Sequence, residues 1–296
     1  MIRVIASDMD GTLLDESHQI TERTVKAIKA AQAAGIRFIV TTGRGFEQAL
    51  HVLKDTGLEC DYIVHTGAQI FNSKLELLQS GFMNIEDCRM VYNILKEYDL
   101  TYLFCTEEAD YCVGSTKNRE QELITHILTF NPNLTEAEIR EGDMFKFFLS
   151  KTKVVSDLEE LVEAGVDIIK IYASSNDLEM IKEIEERVQV NTNLAVASSF
   201  ENNIEITDIK AQKGSALKSY IESLGYTMDE VMVLGDSMND YSMLCMDFGA
   251  TVAMENGVDE IKKVAKYITK SNDEDGAAYC MEELLKKQVD LQTGME

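Results

Sequence analysis

Two aspartates, Asp8 and Asp10, close the first apolar run of the chain in VIASDMDGTLLD, and another acidic group closes a late one in VMVLGDSMND, Val231 to Asp240. Carboxylates at two strand ends can share a hard cation such as Mg²⁺, which takes oxygen ligands, keeps waters and is completed by substrate phosphate. Asp8 and Asp236 are the natural pair for that task. A carboxylate beside a metal and a lysine stays ionised and can attack phosphorus, while a second acid such as Asp10 protonates the leaving oxygen and later deprotonates water. Thr42-Gly43-Arg44 and His65-Thr66-Gly67 follow two further apolar runs, so hydroxyls and Gly-rich turns collect with the carboxylates.

Each feature also has a plainer reading. Asp10-Gly11 between apolar runs is a strong hairpin signal. Thr42 can simply N-cap the helix that follows it. Ser237-Met238-Asn239-Asp240 has the Ser-x-x-Asp form of a capping-box relative, a lone Lys213 is by default a solvated charge, and a lone His65 is by default structural.

The elements that must position these residues follow from the hydrophobic pattern. Val4–Ser7, RFIVTT from Arg37 and DYIVHTG from Asp61 read as buried strands. An Ala-rich helix over Thr21–Ala34, N-capped by Thr21 and stopped at Gly35, and a second helix over Phe46–Lys54 separate them. The C-terminal part repeats the idiom with VMVLGD, ATVAM and YIT as strands and helices through Tyr241–Cys245, from Val258 and over Gly276–Lys287. Strand and helix in alternation predict an α/β fold with a Rossmann-like, doubly wound parallel sheet, whose ligands sit beyond the carboxyl ends of the strands. The middle differs: a helix over Ile85–Tyr98, a hairpin of TYLFC and DYCVG, then MFKFFLS and DIIKIYA in looser alternation. The expected organisation is a core of residues 1–82 and 207–296 with an α+β cap inserted at 83–206.

Composition sets limits. The chain has 296 residues, 45% hydrophobic and 27% charged, with 17 Gly and one Pro, ordinary values for a packed globular protein. A formal charge of −24 argues against nucleic acid or an anionic membrane as a partner, since both demand a basic face. A phosphorylated ligand must therefore find local positive charge from a metal, a few Lys or Arg, and helix N-termini. Six scattered cysteines without a CxxC pair read as reduced thiols of a cytoplasmic protein. No run approaches about 18 consecutive apolar residues, and the N-terminus lacks the form of a signal peptide.

With Asp-x-Asp-Gly-Thr at Asp8, Thr-Gly-Arg at Thr42, a later Lys213 and Gly-Asp-Ser-x-Asn-Asp at Gly235, in this order, the sequence resembles the haloacid dehalogenase-like superfamily, and within it the Cof-type phosphatases of subfamily IIB. The resemblance implies Asp8 as nucleophile and Mg²⁺ ligand, and Asp10 as general acid and base whose carbonyl also meets the metal. It implies Thr42, the Gly43 backbone, the Met9 amide, Lys213 and Asn239 around the phosphoryl group, with Asp236 as a Mg²⁺ ligand and Asp240 behind it. TVAMEN at Thr251 and the stretch from Thr269 to Asp275-Gly276 match further family segments. Thr66 stands where the family usually shows Asn, and Glu255-Asn256-Gly257 replaces Gly-Asn-Ala. The implied activity is a Mg²⁺-dependent phosphatase acting on small sugar or cofactor phosphates, as a monomer or weak homo-oligomer. A phosphosugar mutase and a non-catalytic phosphometabolite-binding protein are the alternatives, although Thr12–Thr41 is too short to hold a mutase-type cap. Glu107, Glu108, Lys146 and Lys170 are candidates in the cap for contact with a leaving group, each by default an ordinary exposed charge.

Overall fold

The computed structural model describes residues 1–114, 119–121, 123–124, 127–128 and 133–293. They form two compact units, Met1–Ser80 with Lys210–Glu296, and Gly81–Ile209. In chain order the strands are β1 (Val4–Ser7), β2 (Arg37–Thr41), β3 (Asp61–Val64), β4 (Gln69–Phe71), β5 (Leu77–Ser80), β6 (Thr101–Cys105), β7 (Asp110–Val113), β8 (Thr152–Val155), β9 (Lys170–Ser174), β10 (Leu194–Ala197), β11 (Asn203–Asp208), β12 (Val231–Gly235), β13 (Ala250–Ala253) and β14 (Tyr267–Ile268).

The first unit holds a sheet in the order β14-β13-β12-β1-β2-β3-β4-β5. Its six strands from β14 to β3 are parallel. They are apolar at nearly every position because both faces are covered. Ile5, Phe38, Val40, Tyr62, Val64, Met232 and Leu234 pack on one side with the helices Glu22–Ala33 and Gly276–Thr293. Their neighbours Val4, Ala6, Ile39, Ile63, Val231 and Val233 pack on the other with Lys213–Ser223, Tyr241–Leu244 and Asp259–Val264. Thr21 accepts the Thr24 amide as N-cap, and Gly35 turns the chain at φ +81°.

Two further strands extend the parallel core. β4 and β5 add an antiparallel edge to β3; the run QIFNSKLELLQS turns at Asn72–Leu75, a hairpin without the Asn-Gly or Asp-Gly signal.

The second unit is α+β. Its sheet runs β10-β11-β9-β6-β7-β8, antiparallel except for β7 with β8. Phe104, Tyr111, Ile171, Ala173, Ile204 and Ile206 share a core with the helices Ile85–Leu95, Leu158–Glu163 and Leu178–Asn191. The alternate positions Lys170, Tyr172, Asn203 and Glu205 give the sheet a second, polar face. MFKFFLS lies in a helix, Asp143–Lys151, whereas DIIKIYA feeds strand β9. All six cysteines are free thiols, and no described helix is long and apolar enough to cross a membrane.

Candidate active site

β1 lies between β12 and β2, so the residues after these three strands emerge side by side. Ser7 is in register with Leu234 and Val40, and the Asp8 amide donates to the Leu234 carbonyl at 3.1 Å. The first turn of the helix Lys213–Ser223 delivers a fully buried lysine to the same point. Its Nζ lies 2.6 Å from Asp8 Oδ1, 2.7 Å from Asp240 Oδ1 and 3.1 Å from Asn239 Oδ1. Carboxylate oxygens of Asp8, Asp236 and Asp240 all lie within 4.8 Å of one another. The default reading of Lys213 as a solvated charge is thus overturned, and Asp240 stands directly on the lysine.

Three carboxylates facing one ammonium crowd negative charge into a buried site. Burial and then the Asp240 charge raise the Asp8 carboxyl well above the ordinary range, with Lys213 pulling the other way. The same two causes push Asp236 up to about 7, against a hydrogen bond from Thr12 Oγ1 at 2.7 Å. Lys213 is held above its ordinary value: burial disfavours its charge, and Asp240 and Asp8 more than offset that. The donor set is all oxygen and short of positive charge, which is what a hard divalent cation supplies.

Asp10 differs from its neighbours. Arg44 grips both its oxygens at 2.7 and 2.6 Å, and His18 Nδ1 stands 3.6 Å from Oδ1. Burial alone would raise this carboxyl, but the Arg44 charge and the His18 and Arg44 hydrogen bonds outweigh it and hold it far below the carboxylate range. Asp10 is therefore ionised in this state. Gly11 follows at φ +74°, and a Cβ there would stand 2.4 Å from Asp236 Oδ2. The turn reading of Asp10-Gly11 and its proximity to the acidic cluster are both real, because the left-handed turn is what brings the chain against Asp236.

Thr42 does not cap the helix Phe46–Leu53, whose N-cap is Gly45. Its Oγ1 instead accepts the Arg44 amide at 3.1 Å, and its carbonyl accepts the Thr66 amide at 3.0 Å. Val40 is in register with Ser7, so Thr42 and Gly43 leave β2 beside the residues that follow β1. The Ser237 capping box is present, and the same Asp240 carboxylate also accepts the Asp236 amide at 2.9 Å. Met9 is fully buried, with its side chain in the core.

His65 and Thr66 take left-handed φ of +49° and +62°, ahead of Gly67 at +112°. A Cβ on Gly67 would meet the Gln212 carbonyl carbon at 2.5 Å, so the glycine lets this turn back directly onto the helix that carries Lys213. Thr66 is β-branched and pays for its conformation, whereas Asn tolerates it better. Thr66→Asn should stabilise the protein by about 1 kcal/mol, read as a raised urea midpoint with an unchanged slope.

Four residues that touch the cluster, Asp10 or the Gly11 turn carry no role in the sequence reading: Arg44, Thr12, Asn256 and His18. Arg44 sits in the Thr-Gly-Arg motif, but its partner is distant in the chain; Thr12 closes Asp-x-Asp-Gly-Thr and Asn256 closes TVAMEN, matched segments that attach no role to either side chain. His18 carries no sequence signal. Among the four residues named in the second unit, Glu107, Glu108 and Lys146 are exposed. Lys170 is buried and paired with Glu205 at 3.1 Å.

The haloacid dehalogenase-like hydrolase family matches residues 5–281. The chain is similar to two Bacillus subtilis (strain 168) proteins, each at 29% identity: 5-amino-6-(5-phospho-D-ribitylamino)uracil phosphatase YwtE, over 97% of this chain and 99% of the relative, and phosphatase YwpJ, over 96% and 100%. Among solved structures, a haloacid dehalogenase-like hydrolase from B. subtilis superposes with a TM-score of 0.83 at 28% identity, covering 96% of this chain and all of the other. Asp8, Lys213 and the Asp236–Asp240 turn come together on the strand ends of a chain matched almost throughout, and the protein belongs to the haloacid dehalogenase-like hydrolases.

Proposed function

We propose that the protein is a Mg²⁺-dependent phosphatase that hydrolyses small phosphorylated metabolites through an aspartyl-phosphate on Asp8. The observation that carries this reading is the buried Lys213 ammonium shared between Asp8 and Asp240, 2.6 and 2.7 Å away, with Asp236 in the same cluster. Asp8, Asp236 and the Asp10 carbonyl are the groups assigned to hold Mg²⁺, with Asp240 behind them. When bound, the ion supplies positive charge to the transferring phosphoryl group and lowers the protonation of the carboxylates around it.

The chain's own residues do the rest. An Asp8 oxygen attacks phosphorus as the bond to the leaving oxygen breaks, and Asp10 gives that oxygen its proton. Water then attacks the phosphoryl group, Asp10 takes the proton, and the bond to Asp8 breaks to release phosphate. Lys213, Thr42 and the Met9 and Gly43 amides are assigned to the spread negative charge of the transfer. Asp10, paired with Arg44, is in the base form of the second step; for the first step it takes up a proton from solvent as the ester binds and the Arg44 pair opens, and it returns to the base form by giving that proton to the leaving oxygen. Asn239, which accepts from Lys213, is assigned to the phosphate with that lysine and Thr42.

The substrate class rests on kinship. The YwtE relative is named for a phosphorylated ribitylamino-uracil, so phosphorylated sugars, polyols and cofactor precursors form the panel of choice. We assign selection among them to the inserted unit, residues 83–206.

Metal binding should follow pH with a defined sign. Asp236, pushed up to about 7 when no metal is bound, must lose its proton to bind Mg²⁺. Affinity should therefore fall by about tenfold for each pH unit below about 7 and level off above it. The check is p-nitrophenyl phosphate hydrolysis with and without Mg²⁺, together with calorimetric Mg²⁺ titrations from pH 5.5 to 8. Undiminished hydrolysis in chelator removes the metal from the reaction, and a pH-independent affinity removes Asp236 from the ligands.

A further inference from the structure

The segment that carries Asp10 is short and has few internal ties. After Asp8 the backbone makes one wide turn, Met9–Leu13, non-helical at Asp10 and Gly11 and closed by the Leu14 amide on the Met9 carbonyl at 2.9 Å. A single bridge, Leu14 to Ile20, then forms the base of a flap. Asp15 ties the tip to itself by accepting the Ser17 and Gln19 amides.

Besides Thr12 on Asp236, Arg44 on Asp10 and the buried Leu13 and Leu14, a second segment distant in sequence ties this flap to the rest of its unit. Asn256 Nδ2 donates to the Gly11 carbonyl at 2.8 Å, while its Oδ1 accepts the Asn272 amide at 2.9 Å. Asn272 Nδ2 donates to the Leu14 carbonyl at 2.9 Å. The Glu16 amide donates to Asp273 Oδ1 at 2.9 Å, and Thr21 Oγ1 donates to Asp275 Oδ1 at 2.5 Å. One loop, Ser271–Asp275, with Asn256 as its bridge, thus holds the flap at Gly11, Leu14, Glu16 and Thr21. The amide of Asn256 is used at both ends, as donor to a carbonyl and acceptor from an N–H, so neither an aspartate nor an alanine can replace it.

We propose that Asn256 and Asn272 are positioning residues: they form a strap that sets the height of the flap and thereby aims the Asp10 carboxylate at the leaving oxygen. The inference rests on the phosphatase reading above. Asp10 is held by Arg44 on its carboxylate, with His18 near it, and its backbone is located by the strap on the next peptide together with Thr12 on Asp236 and the buried Met9 and Leu13. A misplacement of about 1 Å in a proton donor can cost a hundredfold in rate.

The role has a signature that general damage lacks. An alkyl phosphate expels an alkoxide that needs a proton, whereas 4-nitrophenolate leaves without one. For Asn256→Ala and Asn272→Ala at saturating Mg²⁺, kcat/KM on 2-glycerophosphate should fall about 10- to 100-fold, against a severalfold fall at most on p-nitrophenyl phosphate. The double variant should lose no more than the worse single one, because the two side chains act in one chain of bonds. Amide exchange across Met9–Gln19 should quicken in both variants while β1 and β12 stay protected. Equal losses on the two esters, or unchanged exchange in the flap, overturn the strap. A wild-type protein inert toward both esters overturns the phosphatase reading, and the positioning role with it, even if exchange in the flap responds.

Discussion

Asp8→Asn should abolish turnover, by at least about a thousandfold, and leave the metal-free protein as stable as the wild type or more so. The two halves of this expectation have one cause. Asp8 is buried against the Asp240 charge, and its carboxyl is raised well above the ordinary range in spite of Lys213. Its ionised form is therefore costly to hold without a cation, and an amide of the same shape removes that cost while still accepting from Lys213 Nζ. Active sites store instability of this kind where chemistry demands it. Thermal melts in chelator, set beside activity in Mg²⁺, read both halves. A variant that loses activity and stability together would mark Asp8 as a structural carboxylate instead of a nucleophile.

Lys213→Met should have the opposite profile, losing both. The ammonium is fully buried and bonded to Asp8, Asp240 and Asn239. Removing it leaves the acidic cluster without the ammonium that pairs directly with Asp8 and Asp240, at a cost of about 3–5 kcal/mol. Activity should fall at least about a hundredfold, since charge stabilisation of the transferring group goes with it. Mg²⁺ should recover part of the stability and little of the rate. Above pH 7 the effect should be largest: Asp236 titrates near 7 in the folded state, well above its unfolded value. The stability this proton contributes is present at low pH and lost as pH rises through about 7. Urea midpoints at pH 5.5 and 8 measure it, and a loss under about 1 kcal/mol at both would mean that the cluster is neutral.

The sheet was legible because each buried strand is an apolar run that ends in a residue no core would choose. Asp8, Thr42, His65 and Asp236 mark the carboxyl ends of β1, β2, β3 and β12, and parallel order follows from the helices between them. Gly35 and Thr21 were legible for local reasons, a left-handed stop and a side-chain cap. The hairpin of β4 and β5 was not, since Asn72–Leu75 lacks the usual turn pair and β5 is largely exposed. Nor does local pattern separate helix from strand in MFKFFLS.

Within the site, the burial of Lys213 could not be read from QKGSAL, where nothing local distinguishes it from a solvated lysine. Its partners lie 205 and 27 residues away. The Arg44 grip on Asp10 and the Asn256 bridge are hidden for the same reason: each joins polar residues that look like ordinary surface in their own segments. Ser237 and Asp240 teach the reverse lesson. The local cap and the long-range ion pair are not rivals, because one carboxylate has an oxygen for each.

The most direct measurement is a rapid acid quench of the wild-type protein during a single turnover, followed by mass spectrometry of the peptide that contains Asp8. The account predicts a phosphoryl group on Asp8 that forms and decays within the turnover, is released by hydroxylamine and is absent from Asp8→Asn. Turnover that places the phosphoryl group on another residue, or that proceeds unchanged in Asp8→Asn, would contradict it.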